Sequence, residues 1–113
     1  MIKKNILKHI PIVKRVYPSF IKRIFKLILK TKINLNFFNI NLIGDINEPM
    51  DKEIYLFNEY ENKQIEYLIK NVKGSNFKYF IDVGANSGLY SLIINDNFKK
   101  IKIKSFEPVK KSI

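Results

Sequence analysis

The sequence predicts an α/β chain whose second half is organised around a parallel strand–helix–strand unit. A β-prone run, Phe80-Ile81-Asp82-Val83, suits a buried parallel strand and leads into a small-residue turn from Gly84 to Gly88. A helical pattern resumes at Leu89 and continues to about Asn95, with Leu92 and Ile93 expected to face inward. Ile101 to Glu107 then alternates as a second strand, ends in an acid and is followed by Pro108. Residues 1–54 form a basic helical and short β extension, and residues 55–113 begin the α/β domain.

The extension opens with two basic helical pieces separated by Pro11 and Pro18. Ser19 is placed to cap a helix running to about Lys30, with Phe20, Ile21, Ile24, Phe25, Ile28 and Leu29 as its apolar stripe. From Ile33 the period changes to two. Ile33, Leu35 and Phe37 alternate with Asn34 and Asn36, then Phe38, Ile40 and Leu42 with Asn39 and Asn41. The phase slip at Phe37–Phe38 predicts a bulge or turn. Gly44-Asp45 and Asn47-Glu48-Pro49 read as a loop. Glu59 to about Val72 predicts a further helix that buries Ile65, Leu68, Ile69 and Val72 and stops at Gly74.

Composition narrows the chemistry. At 113 residues the chain has room for one domain at most, with a modest core. It has no cysteine, hence no disulfide or thiolate, and its single histidine, His9, cannot build a histidine cluster for a metal. His9 reads as a surface residue. The net charge of +11 is lopsided: residues 1–44 lack Asp and Glu and carry +10. Such an excess suits an anionic lipid surface or nucleic acid, although a genome rich in A and T also enriches Lys, Ile and Asn. No stretch reaches the roughly 18 apolar residues of a membrane span, and a cytoplasmic protein is expected.

The strand–turn–helix–strand segment carries the chemical signal. Gly84 lets backbone approach a ligand without an intervening Cβ, and Gly88 suits close packing at the helix start. Unpaired N–H groups at that start favour an anionic group. Glu107 lies 23 residues beyond Gly84, near the roughly 20-residue spacing at which an acid meets ribose hydroxyls in nucleotide-binding βαβ units. A carboxylate can accept both protons of a cis-diol. The glycine spacing, G-x-x-x-G with no following Lys, fits neither a dinucleotide fingerprint nor a phosphate-cradling loop. Asp82, two residues before the first glycine, suits a cationic part of a ligand and would repel a pyrophosphate. The residues thus point to a nucleoside-containing ligand with its ribose on Glu107.

Ile81-Asp82-Val83-Gly84-Ala85-Asn86-Ser87-Gly88-Leu89-Tyr90-Ser91-Leu92, with Ser105-Phe106-Glu107-Pro108 after it, resembles the FkbM family of class I methyltransferases. That family's first motif reads D-x-G-A-N-x-G and its second strand ends in F-E-P. Tyr60-Glu61 resembles the Y-E pair that the family places before its first core strand. The resemblance spans roughly residues 55–110 and is specific within 81–108. It implies a Rossmann-like class I methyltransferase fold, truncated here after the first βαβ unit, that binds S-adenosyl-L-methionine. Gly84 would lie along the methionine moiety with Asp82 near its amino group, and Glu107 would hold the ribose. Ala85, Asn86, Gly88 and Glu61 would complete the cofactor site. Asn86 stands where many class I enzymes have glycine, and Asn tolerates left-handed backbone angles.

The function implied is methyl transfer to a hydroxyl of a sugar or secondary metabolite, with the chain a fragment inactive alone. No catalytic base is assigned. The partner would be a small-molecule or glycan acceptor, with no specific nucleic acid. Weak peripheral membrane contact is expected to involve residues 1–32. The alternative is a non-catalytic basic module that binds anionic membrane or nucleic acid. A nicotinamide-dependent oxidoreductase is disfavoured by the glycine spacing.

Overall fold

A computed structural model describes residues 11–27 and 31–109, a mixed α/β chain with two small sheets. His9, Ile28, Leu29 and Lys30, read above from the sequence, lie outside the described residues. Where the length suggests one core, the chain divides into two compact units, Met1–Tyr60 and Glu61–Ile113.

The first unit begins with α1, Pro11–Leu27. This helix runs through Pro18 and is not capped afresh at Ser19. An interior proline lacks the N–H of its helical bond and costs about 3 kcal/mol. Tertiary packing works against that cost. Tyr17, Ile21, Ile24 and Phe25 share a half-buried face, and Phe25 meets Tyr55 edge-on at 5.9 Å.

Strands β1, Lys32–Phe37, and β2, Ile40–Asp45, form an antiparallel hairpin in the register Phe37↔Ile40 to Lys32↔Asp45. The predicted phase slip is its two-residue turn. Phe38 (φ 47°) and Asn39 (φ 64°) both adopt left-handed angles, the primed geometry that matches strand twist. Ile33, Leu35 and Phe37 turn inward while Asn34 and Asn36 face out, and Asn36 Nδ2 donates to Asn41 Oδ1 at 2.8 Å.

Of the stretch read as a loop, Gly44 and Asp45 close β2, Asn47 and Glu48 turn as expected, and Pro49 opens helix α2, Pro49–Phe57. Proline fits the first helical turn, where its missing N–H is not needed. Met50, Ile54 and Phe57 recur at helical spacing and are buried with Leu56 as α2 packs on both strands. Gly44 makes that approach possible. A Cβ there would come within 2.7 Å of Leu35 Cδ1 and 2.9 Å of Asp51 Oδ2.

The second unit comprises α3 (Asn62–Lys73), β3 (Tyr79–Val83), α4 (Leu89–Asn97) and β4 (Lys102–Phe106). β3 and β4 pair in parallel from Tyr79↔Lys102 to Val83↔Phe106, with α4 as the crossover. The predicted βαβ unit is therefore present. Ile65 and Val72 of α3 are buried, as expected, while Leu68 and Ile69 are half-buried. In α4 the inward residues are Leu89, Ile93 and Ile94, whereas Leu92, expected inside, is 39% exposed.

β3, whose run reads as a buried parallel strand, is covered on one face. Ile81 and Val83 are 60% and 80% exposed, because α4 packs on the opposite face of the two-stranded sheet.

Candidate functional site

The site residues lie at the carboxyl ends of β3 and β4, where ligands of open α/β sheets bind. Here the ladder runs on past the strands. The N–H groups of Gly84 and Ala85 both donate to the Phe106 carbonyl, at 2.8 and 3.1 Å. The chain then reverses tightly, with the Gly88 N–H donating to the Ala85 carbonyl at 2.7 Å. Three alternate residues hold left-handed angles: Gly84 (φ 75°), Asn86 (φ 51°) and Gly88 (φ 77°). α4 starts directly from this turn, with the Leu92 N–H on the Gly88 carbonyl at 2.9 Å.

The reason for Gly88 differs from the one expected. Nothing lies within 4 Å of a Cβ built at Gly88, or at Gly84, so close packing does not require glycine. Backbone angle does: a left-handed conformation costs an ordinary L-residue roughly 1–2 kcal/mol. At Gly84 the same openness leaves the backbone accessible. Asn86 meets its left-handed angle with a side chain that tolerates it.

Glu107, immediately after β4, returns to this turn. Its Oε2 accepts the Asn86 N–H at 2.8 Å and its Oε1 accepts the Val109 N–H at 2.8 Å. The acid and the glycine turn, 21 residues apart at this bond, form one hydrogen-bonded structure. An ionised carboxylate has about four acceptor sites, so these two bonds leave capacity for further donors.

Asp82 belongs to a second, deeper network. Ser91 Oγ donates to Asp82 Oδ2 at 2.7 Å and lies 2.6 Å from Ser105 Oγ. Asp82 and Ser105 are register partners on β3 and β4, and Ser91, 7% exposed on α4, bridges them. The three elements of the βαβ unit are thus pinned together just beneath the turn. Ser91 and Ser105 have no assigned role in the sequence reading, because their meeting depends on strand register and on the first turn of α4. The one available signal is a small polar residue, Ser91, between the apolar residues Leu89, Leu92, Ile93 and Ile94.

Glu61 precedes α3 at the N-cap in a left-handed conformation (φ 48°) and makes no capping bond with its side chain. Its carboxylate instead accepts from Tyr90 Oη at 2.6 Å. Tyr90 sits at the start of α4, so Glu61 joins the same end of the unit through a phenol. The structure thus brings Asp82, Gly84, Ala85, Asn86, Gly88 and Glu107 together directly, and Glu61 through Tyr90.

A cleft of about 610 Å³ opens at the other end of the strands, among Lys73, Phe77, Lys78, Phe98, Lys99 and Ile101. It is remote from the turn chemistry and includes none of the candidate cofactor-binding residues. Among the described residues no cluster of three His, Cys, Asp or Glu could hold a metal ion. No helix among them is long and apolar enough to cross a membrane. No family model matches the chain, and neither a curated protein nor a solved structure matches it.

Proposed function

We propose that this chain carries the cofactor-binding segment of an S-adenosyl-L-methionine-dependent methyltransferase with a Rossmann-like fold of the FkbM type. The observation that carries the reading is the bond from the Asn86 N–H to Glu107, which ties the glycine turn to the acid that follows β4. Glu107 would accept the two ribose hydroxyls of the cofactor on the acceptor sites its two backbone bonds leave. The open backbone at Gly84 would lie along the methionine moiety. Asp82, oriented by Ser91, would supply negative charge for the ammonium group, and Ala85, Asn86 and Gly88 would shape the turn against the cofactor. Glu61, held by Tyr90, would close the same end of the unit.

When bound, the cofactor supplies an electrophilic sulfonium methyl. The acceptor in this reading is a hydroxyl of a sugar or secondary metabolite, and the chain's own contribution is to hold the cofactor in position. No base for that hydroxyl is assigned.

Calorimetric titration with S-adenosylhomocysteine tests the reading, with NAD as control. Binding of S-adenosylhomocysteine and not NAD, weakened about tenfold or more by Glu107→Ala, is expected, since hydrogen bonds to a charged group are worth roughly 1.5–3 kcal/mol. A folded chain that binds neither ligand contradicts it. Binding of NAD instead would transfer the site to hydride chemistry.

A further inference from the structure

α1 presents a second surface, independent of the cofactor site. Ile12, Val16 and Phe20 recur every fourth residue along its outer side and are 76%, 58% and 60% exposed. Three large apolar side chains in one row exceed the isolated exposed residue that needs no explanation. The opposite side, with Tyr17, Ile21, Ile24 and Phe25, is the one that is half-buried. The exposed row is therefore a second apolar face and not the one used in packing.

The charges on this helix are of one sign. Arg15, Lys22 and Lys26 line one flank of the row, Arg23 lies within it, and all four are exposed. The helix contains no acid, nor does any residue before Asp45. Acids three or four residues from these cations would pair with them, and this helix has none. Cations beside an apolar row match an anionic lipid surface, which offers phosphates at the headgroup level and hydrocarbon just below. Nucleic acid would satisfy the cations and leave Ile12, Val16 and Phe20 in water. Arg23 can lay its stem along apolar surface and keep its guanidinium at headgroup depth.

We infer that α1 docks the protein on anionic membrane, with Ile12, Val16 and Phe20 entering the acyl boundary and Arg15, Lys22, Arg23 and Lys26 contacting headgroup phosphates. The contact is peripheral.

Co-sedimentation of the full chain tests this, using vesicles of equal parts phosphatidylserine and phosphatidylcholine beside vesicles of phosphatidylcholine alone. Binding to the mixed vesicles and not to the neutral ones is expected. Val16→Glu with Phe20→Glu should weaken it about tenfold or more, because two buried apolar side chains are lost. Arg15→Gln, Lys22→Gln and Lys26→Gln together should weaken it on the order of a hundredfold, at about fivefold per cation near the surface. The substituted side chains are exposed, and an unchanged far-ultraviolet circular dichroism spectrum confirms that each variant is folded. Equal binding to both vesicle types overturns the inference. So does undiminished binding by the folded Val16→Glu, Phe20→Glu variant, and so does a single-stranded oligonucleotide that binds more tightly than the mixed vesicles.

Discussion

The two units use glycine for opposite reasons. In the hairpin unit Gly44 is required by space, since a Cβ would press on Leu35 and Asp51. In the βαβ unit Gly88 has open space around it and is required by its φ of 77°. The difference reflects how each unit holds together. The hairpin closes on itself, burying Ile33, Leu35, Phe37, Ile46, Met50, Ile54, Leu56 and Phe57 between two strands and a helix. The βαβ unit buries a smaller set, Ile65, Val72, Leu89, Ile93 and Ile94, and leaves one sheet face bare. Its distinctive bonds are polar and gather at one end: Ser91 on Asp82, Asn86 on Glu107 and Tyr90 on Glu61. One unit is organised by packing, the other by a turn that presents polar groups.

The comparison breaks first at the hairpin core. Phe37 is 2% exposed and packs edge-on against Phe38. Phe37→Ala should cost about 3–5 kcal/mol, enough to abolish amide exchange protection across β1 and β2. In the second unit the same side chain gives two answers. Ile93→Ala should cost about 2–5 kcal/mol because Ile93 is buried, whereas Ile81→Ala on the bare face should stay within about 0.5 kcal/mol in urea unfolding. Comparable losses at the two positions would mean that the sheet face is covered in solution.

Polar tests come next in size. Ser91→Ala strips a part-buried carboxylate of its donor and should cost about 1–3 kcal/mol, read by urea unfolding. Gly88→Ala should cost roughly 1–2 kcal/mol through backbone angle alone, and Gly88→Asn less, although Asn is the larger residue. If Ala were better tolerated than Asn, space and not φ would be the constraint.

Much of this was legible in the sequence where the information is local. Alternation at Ile33 to Phe37, the phase slip that became the Phe38–Asn39 turn, and the glycine turn before Leu89 all report their own backbone. Helix α2 was obscured by the punctuation of Gly44 to Pro49, although Pro49 opens the helix and Met50, Ile54 and Phe57 follow at its period. Pro18 suggested a break, but α1 runs through it as one helix, with Tyr17, Ile21, Ile24 and Phe25 half-buried. Ile81 and Val83 read as buried because a β-branched run looks the same whether one face is covered or both. At the site, Asp82, the turn and Glu107 could be named from motif and spacing. The Ser91 bridge could not, since it needs the parallel register that sets Asp82 opposite Ser105.

The smallest effect lies at the end of β2. Asp45 has a pKa held below its ordinary value, chiefly by the Asn47 backbone N–H, with the Asn47 and Thr31 side chains and Lys32 assisting against partial desolvation. A carboxylate with a lowered folded pKa stabilises the fold above its unfolded pKa. That contribution fades as pH falls through the folded value. Asp45→Asn should therefore lower the unfolding midpoint slightly at neutral pH, and the difference from wild type should vanish in strong acid. A gap that widens in acid would reverse the sign.

The most direct test of the central claim, that the turn and Glu107 are one cofactor site, is a nitrogen-15 amide spectrum of the chain titrated with S-adenosylhomocysteine. Shifts concentrated at residues 82–91 and 105–109, with the Asn86 amide among the largest and the hairpin silent, are predicted. Shifts confined to the hairpin, or to the cleft at Lys78 and Lys99, would contradict it.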